Sequence, residues 1–146
     1  MKKLLIILPL LLGSIHAEEL TTIENTTIDT SQLGELSNVY HNYAQALRVA
    51  KNSKKSLFIL IGKENCPWCN KLKNTTLQDR KLTELLNRDF VVVLLDKNRD
   101  KFPTQYDPSR VPVIYMANFN EKVFVKKLGY VKNPNEYIRL SKYITP

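Results

Sequence analysis

Ser56-Leu57-Phe58-Ile59-Leu60-Ile61-Gly62 runs directly into Lys63-Glu64-Asn65-Cys66-Pro67-Trp68-Cys69, and this stretch decides how the rest of the chain is read. A short unbroken apolar run stopped by glycine marks a strand buried on both faces. The cysteine pair then falls on the loop that leads into the next helix. With Cys66 as the cap of that helix, Pro67 takes the first helical position, where its missing N–H costs nothing. The free amides of the first turn then face the Cys66 sulfur, which also sits at the positive end of the helix dipole. Both effects favour a thiolate, so Cys66 is the expected nucleophile and its pKa is expected to be lowered. Cys69 follows one turn later on the same face, within disulfide range, placed to resolve a mixed disulfide. Trp68 offers a flat, partly exposed surface beside the nucleophile for a partner chain to cover.

Outward from this stretch, Val39, Tyr40, Tyr43, Leu47 and Ala50 recur at three- and four-residue steps and predict a helix beginning near Ser37. Leu72 and Leu77 give the helix after the cysteines an inner face. Asp79 is placed to cap a further helical stretch with Leu82, Leu85 and Leu86 inside. Phe90 to Leu95 reads as a second fully buried strand, and Asp96 to Asp107 as a polar loop with room for one helical turn. Val111 to Tyr115 reads as a third strand opening with Pro112, and Val123 to Leu128 as a half-exposed antiparallel strand. Asn133-Pro134 starts a last helix with Tyr137, Leu140 and Ile144 inside. The order predicts an α/β protein with a mixed central sheet flanked by helices.

The ends of the chain carry different information. Met1-Lys2-Lys3, the apolar run Leu4 to Leu12 and the small residues up to Ala17 form the pattern of a signal peptide cleaved after Ala17. Residues 18–36 read as a tether or edge segment and residues 37–146 as the domain. Export to the periplasm or beyond follows from the leader. The only cysteines are Cys66 and Cys69, and a loop this short restrains an unfolded chain little, so both serve chemistry. The net charge of +8 is scattered over the sequence without an aromatic-basic reader motif, which argues against a nucleic-acid partner.

A rival reading uses the same pair to hold a soft metal such as copper for delivery. Structural zinc wants four ligands, and the chain has no second cysteine pair. His16 leaves with the leader, and His41, placed in the first helix, reads as a surface or boundary histidine. The disulfide reading needs no metal and no cofactor.

From about Ser56 to Ile144 the chain resembles the thioredoxin superfamily, and most of all exported bacterial thioredoxin-like proteins. The Cys66-Pro67-Trp68-Cys69 motif, the strand order and Gly129 after the last strand carry the resemblance, as does Val111-Pro112 where the family has its cis-proline loop. It implies a thioredoxin-like fold and thiol–disulfide oxidoreductase activity, with Cys66 attacking and Cys69 resolving. It also implies that Val111 and Pro112 present backbone to an extended substrate. Pro67-Trp68 is similar to the Pro-aromatic pair of glutaredoxins. The apolar Leu60 stands near the position of the buried acid of many thioredoxins, and Lys63, Glu64 and Asn65 stand where tryptophan often precedes the motif. The Pro-aromatic pair and the apolar Leu60 position point to an intermediate redox poise and hence a reductase of exported cysteine-containing proteins, recharged by a membrane electron donor.

Mass spectrometry of the protein from its native host is expected to show a chain beginning at Glu18; a full-length chain in the cytoplasm rejects export.

Overall fold

The computed structural model describes residues 33–144. The expected leader at 1–17 and most of the 18–36 segment lie outside the described residues. Within them the elements run β1 (Val39–Tyr40), α1 (Tyr43–Ser53), β2 (Ser56–Gly62), α2 (Pro67–Asn74), α3 (Arg80–Asp89), β3 (Phe90–Asp96), β4 (Val113–Ala117), β5 (Val123–Leu128) and α4 (Pro134–Ser141), with short 3-10 turns at Thr76–Gln78 and Thr104–Tyr106.

The strands form a mixed sheet in the order β1-β3-β2-β4-β5. β2 lies parallel to β3 from Ser56↔Phe90 to Gly62↔Asp96, and antiparallel to β4 from Leu57↔Ala117 to Ile61↔Val113. A crossover through α2 and α3 joins the parallel pair, as parallel strands require. β4 and β5 form the antiparallel hairpin. Asn118 closes its turn, its Oδ1 accepting from the N–H groups of Asn120 and Lys122 at 3.0 Å each.

Side chains alternate along β2, so two cores form. Phe58 and Leu60 face Leu72, Leu82, Leu86 and Tyr137 of α2, α3 and α4. Leu57, Ile59 and Ile61 face Tyr43, Ala46 and Ala50 of α1, together with Tyr106 and Tyr115. The Tyr43 hydroxyl donates to Glu121 Oε1 at 2.6 Å and ties α1 to the β4–β5 turn. Burial and this carboxylate push the Tyr43 phenol far above its ordinary range, so it remains a donor.

The helix caps follow the sequence. Asp79 accepts from the Leu82 N–H at 2.9 Å to start α3, and Asn133 accepts from the Asn135 N–H at 3.0 Å ahead of Pro134. Other elements differ from expectation. The first helix begins at Tyr43, capped by Asn42, and not near Ser37. Val39 and Tyr40 instead pair in parallel with Val92 and Val93 as an edge strand, which suits a β-branched and an aromatic residue. Leu77 sits in the 3-10 turn and not on α2, yet it is fully buried. β4 starts two residues later than expected, at Val113, because Pro112 has no N–H to give a ladder. Leu33 and Leu36, inside the segment read as a tether, are buried against the first core.

Phe58 is fully buried, with edge-on contacts to Phe90 and Tyr137 at ring distances of 6.3 and 5.9 Å. Phe58→Ala is expected to cost about 3–5 kcal/mol by urea unfolding, and Asp79→Ala about 1 kcal/mol. Equal effects of the two would contradict this placement of the core.

Candidate active site

The register of β2 gathers the site at one end of the sheet. Gly62 ends β2 beside Asp96, the last residue of β3, while Ile61 pairs with Val113, the first residue of β4. The loop that leaves β2 therefore meets the loop that leaves β3 and the Val111-Pro112 segment that enters β4. Gly129 closes the group, its N–H donating to the Pro112 carbonyl at 2.7 Å. Gly129 has φ of 80°, the left-handed region that favours glycine.

Asn65 turns the chain into α2 with φ of 55°, a conformation asparagine tolerates better than most residues. Cys66 caps the helix, its Sγ accepting the Cys69 N–H at 3.2 Å, and Pro67 opens the first turn. Cys66 and Cys69 are joined in a disulfide with Cα atoms 5.2 Å apart. Both are buried, whereas Trp68 between them is 56% exposed. A Cβ built on Gly62 would lie 3.4 Å from Cys69 Sγ, so the end of β2 runs close beside that sulfur.

Two different surroundings flank the pair. On one side Trp68 stacks on Tyr130, with ring centroids 5.8 Å apart and planes 30° apart. The Lys71 ammonium stands 5.1 Å and 5.2 Å from these two ring centroids. A cleft of about 470 Å³ runs from Trp68 over Val111 and Pro112 to Leu128 and Tyr130. The Val111–Pro112 peptide bond is cis. The Val111 N–H and C=O have no hydrogen-bond partner among the described residues.

On the other side a cavity of about 350 Å³ is lined by Cys69, Gly62, His41, Asp96 and Asp100, and also by Lys73 and Arg99. His41 is therefore part of the site. It lies between β1 and α1, not within the first helix as the sequence suggested. Burial holds its imidazole below the ordinary histidine range and outweighs the pull of the Leu94 backbone and Asp100; Lys73 lowers it further. Asp96, itself buried, holds the loop ahead of the cysteines. Its Oδ2 accepts from the Glu64 N–H at 2.9 Å and its Oδ1 from the Asn98 N–H at 2.8 Å. Among the described residues no three His, Cys, Asp or Glu side chains lie together as a metal site.

Sequence reasoning found Cys66, Pro67, Trp68, Cys69, Val111 and Pro112, and the structure brings them to one end of the sheet. It did not find Tyr130, Leu128, His41 or the bonds of Asp96. Asp96-Lys97-Asn98 was visible only as a polar stretch after a strand.

Asp96→Ala strips the acceptor from two loop amides. It is expected to destabilise the fold by about 1–3 kcal/mol and to speed hydrogen exchange at Glu64 and Asn98 well beyond the rise at core amides. Unchanged exchange at these two positions rules out the clamp.

Solved structures of similar fold include an oxidoreductase and several thioredoxins. DsbH oxidoreductase superposes with a TM-score of 0.59 at 18% identity, covering 83% of this chain and 92% of that one. A thioredoxin from Thermus thermophilus superposes at 0.59 with 19% identity, over 73% of this chain and 86% of that one. These likenesses concern the fold. Among curated proteins, spermatogenesis-associated protein 20 of Rattus norvegicus is 32% identical over 53 residues, which are 36% of this chain and only 7% of that protein's length. A sequence profile described as thioredoxin-like matches residues 38–118, from the edge of β1 through the cysteine pair and the Val111-Pro112 segment to the end of β4, and the chain belongs to this thioredoxin-like family.

Proposed function

We propose that the protein is a thiol–disulfide oxidoreductase of exported proteins and works as a reductase. The observation that carries the reading is the Cys66 sulfur at the start of α2, accepting the Cys69 N–H and within bonding range of the Cys69 sulfur. When the pair is reduced, this N–H and the helix dipole favour the Cys66 thiolate.

That thiolate attacks one sulfur of a substrate disulfide. The substrate S–S bond breaks, one substrate sulfur leaves as a thiolate and takes up a proton, and a Cys66–substrate mixed disulfide remains. Cys69 then loses its proton through the cavity it lines with His41 and Asp96. Its thiolate attacks the Cys66 sulfur, the Cys66–Cys69 bond forms, and the second substrate sulfur leaves as a thiolate. Two electrons have passed from the pair to the substrate, and a donor dithiol returns them. Val111, its backbone groups unpaired among the described residues, and Pro112 offer the edge on which an extended substrate segment pairs.

The direction of electron flow is supported by the Pro67-Trp68 pair and by apolar Leu60, which favour a potential nearer the glutaredoxin range of about −200 to −230 mV than that of strong oxidants at about −120 mV. The compartment is supported by the leader-like residues 1–17.

In native cells the Cys66–Cys69 pair is expected to be largely reduced, and a Cys69→Ala variant to accumulate mixed disulfides with exported proteins. Cys66→Ala is expected to abolish insulin reduction. A fully oxidised pair, with exported proteins short of disulfides when the protein is deleted, overturns the reductase direction. Tight stoichiometric copper with no disulfide exchange favours the delivery reading instead.

A further inference from the structure

The cleft beside Trp68 does not end at Leu128. A second cleft of about 560 Å³ begins at the same two residues, Leu128 and Tyr130, and continues past Lys126, Lys127 and Lys132 to Glu136. The first cleft is lined by the apolar Trp68, Val111, Pro112 and Leu128, together with Arg110. The second is basic. Glu136 is its only acid, and that carboxylate is taken by Lys127 in an ion pair. Lys126 and Lys132 are exposed and have no ion-pair partner among the described residues, the Lys126 ammonium standing 5.4 Å from the Tyr115 ring centroid; Lys71 and Arg110 beside the apolar part are likewise exposed and without an ion pair.

The apolar floor is also uncovered. Trp68 is 56% and Leu128 44% exposed, two of the three large hydrophobic side chains this exposed among the described residues. Lysines on an edge strand guard it against pairing with other strands. That role accounts for Lys126 on β5. It does not account for Lys132, which lies beyond the strand, or for Lys71 and Arg110, which belong to other segments.

We propose that the two clefts form one groove for an extended, cysteine-bearing segment of a partner protein, with an apolar side chain against Trp68 and Leu128 and acidic residues further along on Lys126 and Lys132. The proposal rests on the oxidoreductase reading and names the substrate class of that site. The cysteine of the segment meets Cys66, its apolar neighbour covers the exposed indole, and its carboxylates pair with the Lys132 ammonium and with that of Lys126, drawn off the Tyr115 ring. Exposed charge pairs of this kind add modestly to affinity and more to encounter rate, and both effects fade with salt.

The test uses the full domain, reduced with dithiothreitol and freed of it. Single-turnover rates are measured with two disulfide-linked peptides that differ only in carrying Asp or Lys at two positions beyond an apolar residue next to the cysteine. The uncharged bis(2-hydroxyethyl) disulfide is measured alongside. The Asp peptide is expected to react about tenfold faster than the Lys peptide at low salt, as two or three exposed ion pairs would give. The ratio is expected to fall toward one at high salt. In a Lys126→Glu, Lys132→Glu double variant the ratio is expected to invert, and because a ratio is read, a general loss of activity cancels. Equal rates for the two peptides at low salt, or a preference that survives the double substitution, overturns the groove. So does a loss of binding to anionic lipid vesicles in the double variant without any peptide preference in the parent, which assigns the charge to a membrane surface. No exchange even with the uncharged disulfide overturns the oxidoreductase reading itself and takes this proposal with it.

Discussion

β2 is hydrogen-bonded on both sides, and its register decides what meets at its carboxyl end. A slip of one residue would turn Leu57, Ile59 and Ile61 toward the core that now holds Phe58 and Leu60. Both faces are buried and the two sets of partners differ in size and shape, so the alternative packing is poor. With the register held, Gly62 must lie beside Asp96 and Ile61 beside Val113. The cysteine loop, the Asp96 clamp and the Val111-Pro112 segment are then neighbours by construction. A site assembled from three loops thus inherits its precision from one strand in the middle of the sheet.

The same logic explains what could be read from the sequence. β2, β3 and β5 were legible because burial on two faces, or alternation on one, writes itself directly into residue pattern. Asp79 and Asn133 were legible because a cap is a local bond between side chain and backbone. β1 was not. Val39 and Tyr40 happen to fall at helical spacing from Tyr43, and a strand of two residues is too short to show a period of its own. The inward packing of Leu33 and Leu36 was hidden for a similar reason, since two leucines in a polar stretch carry no periodic signal. Within the site, the cysteine motif and Pro112 could be read because their chemistry is carried by residue type and spacing. Tyr130 lies 62 residues from Trp68, and the stack between them exists only once α2 and the segment after β5 are folded together. His41 looked like a boundary residue because nothing next to it in sequence reveals that the β1–α1 connection passes beside Cys69.

The disulfide holds little of this together. It links residues three apart at the end of the sheet, while both cores lie between the sheet and its helices. Opening it releases only a small loop constraint, and the helix cap that Cys66 supplies remains available to a thiolate. The fold can therefore tolerate both redox states of the pair, which a bond used for chemistry requires and a bond used for stability does not.

The two sulfurs also differ in what surrounds them. Next to Cys66 in sequence stands the exposed indole of Trp68, which borders a cleft with an apolar floor over Val111 and Pro112. Cys69 lines a polar cavity with an imidazole whose pKa burial lowers and with carboxylates at Asp96 and Asp100. In the proposed exchange the attacking sulfur needs a partner and an already ionised state. The resolving sulfur needs protection from outside disulfides and a way to lose its proton only after the first bond has formed. In the proposed exchange these opposite needs fall to cysteines one helical turn apart, Cys66 beside the exposed indole of Trp68 and Cys69 against the polar cavity.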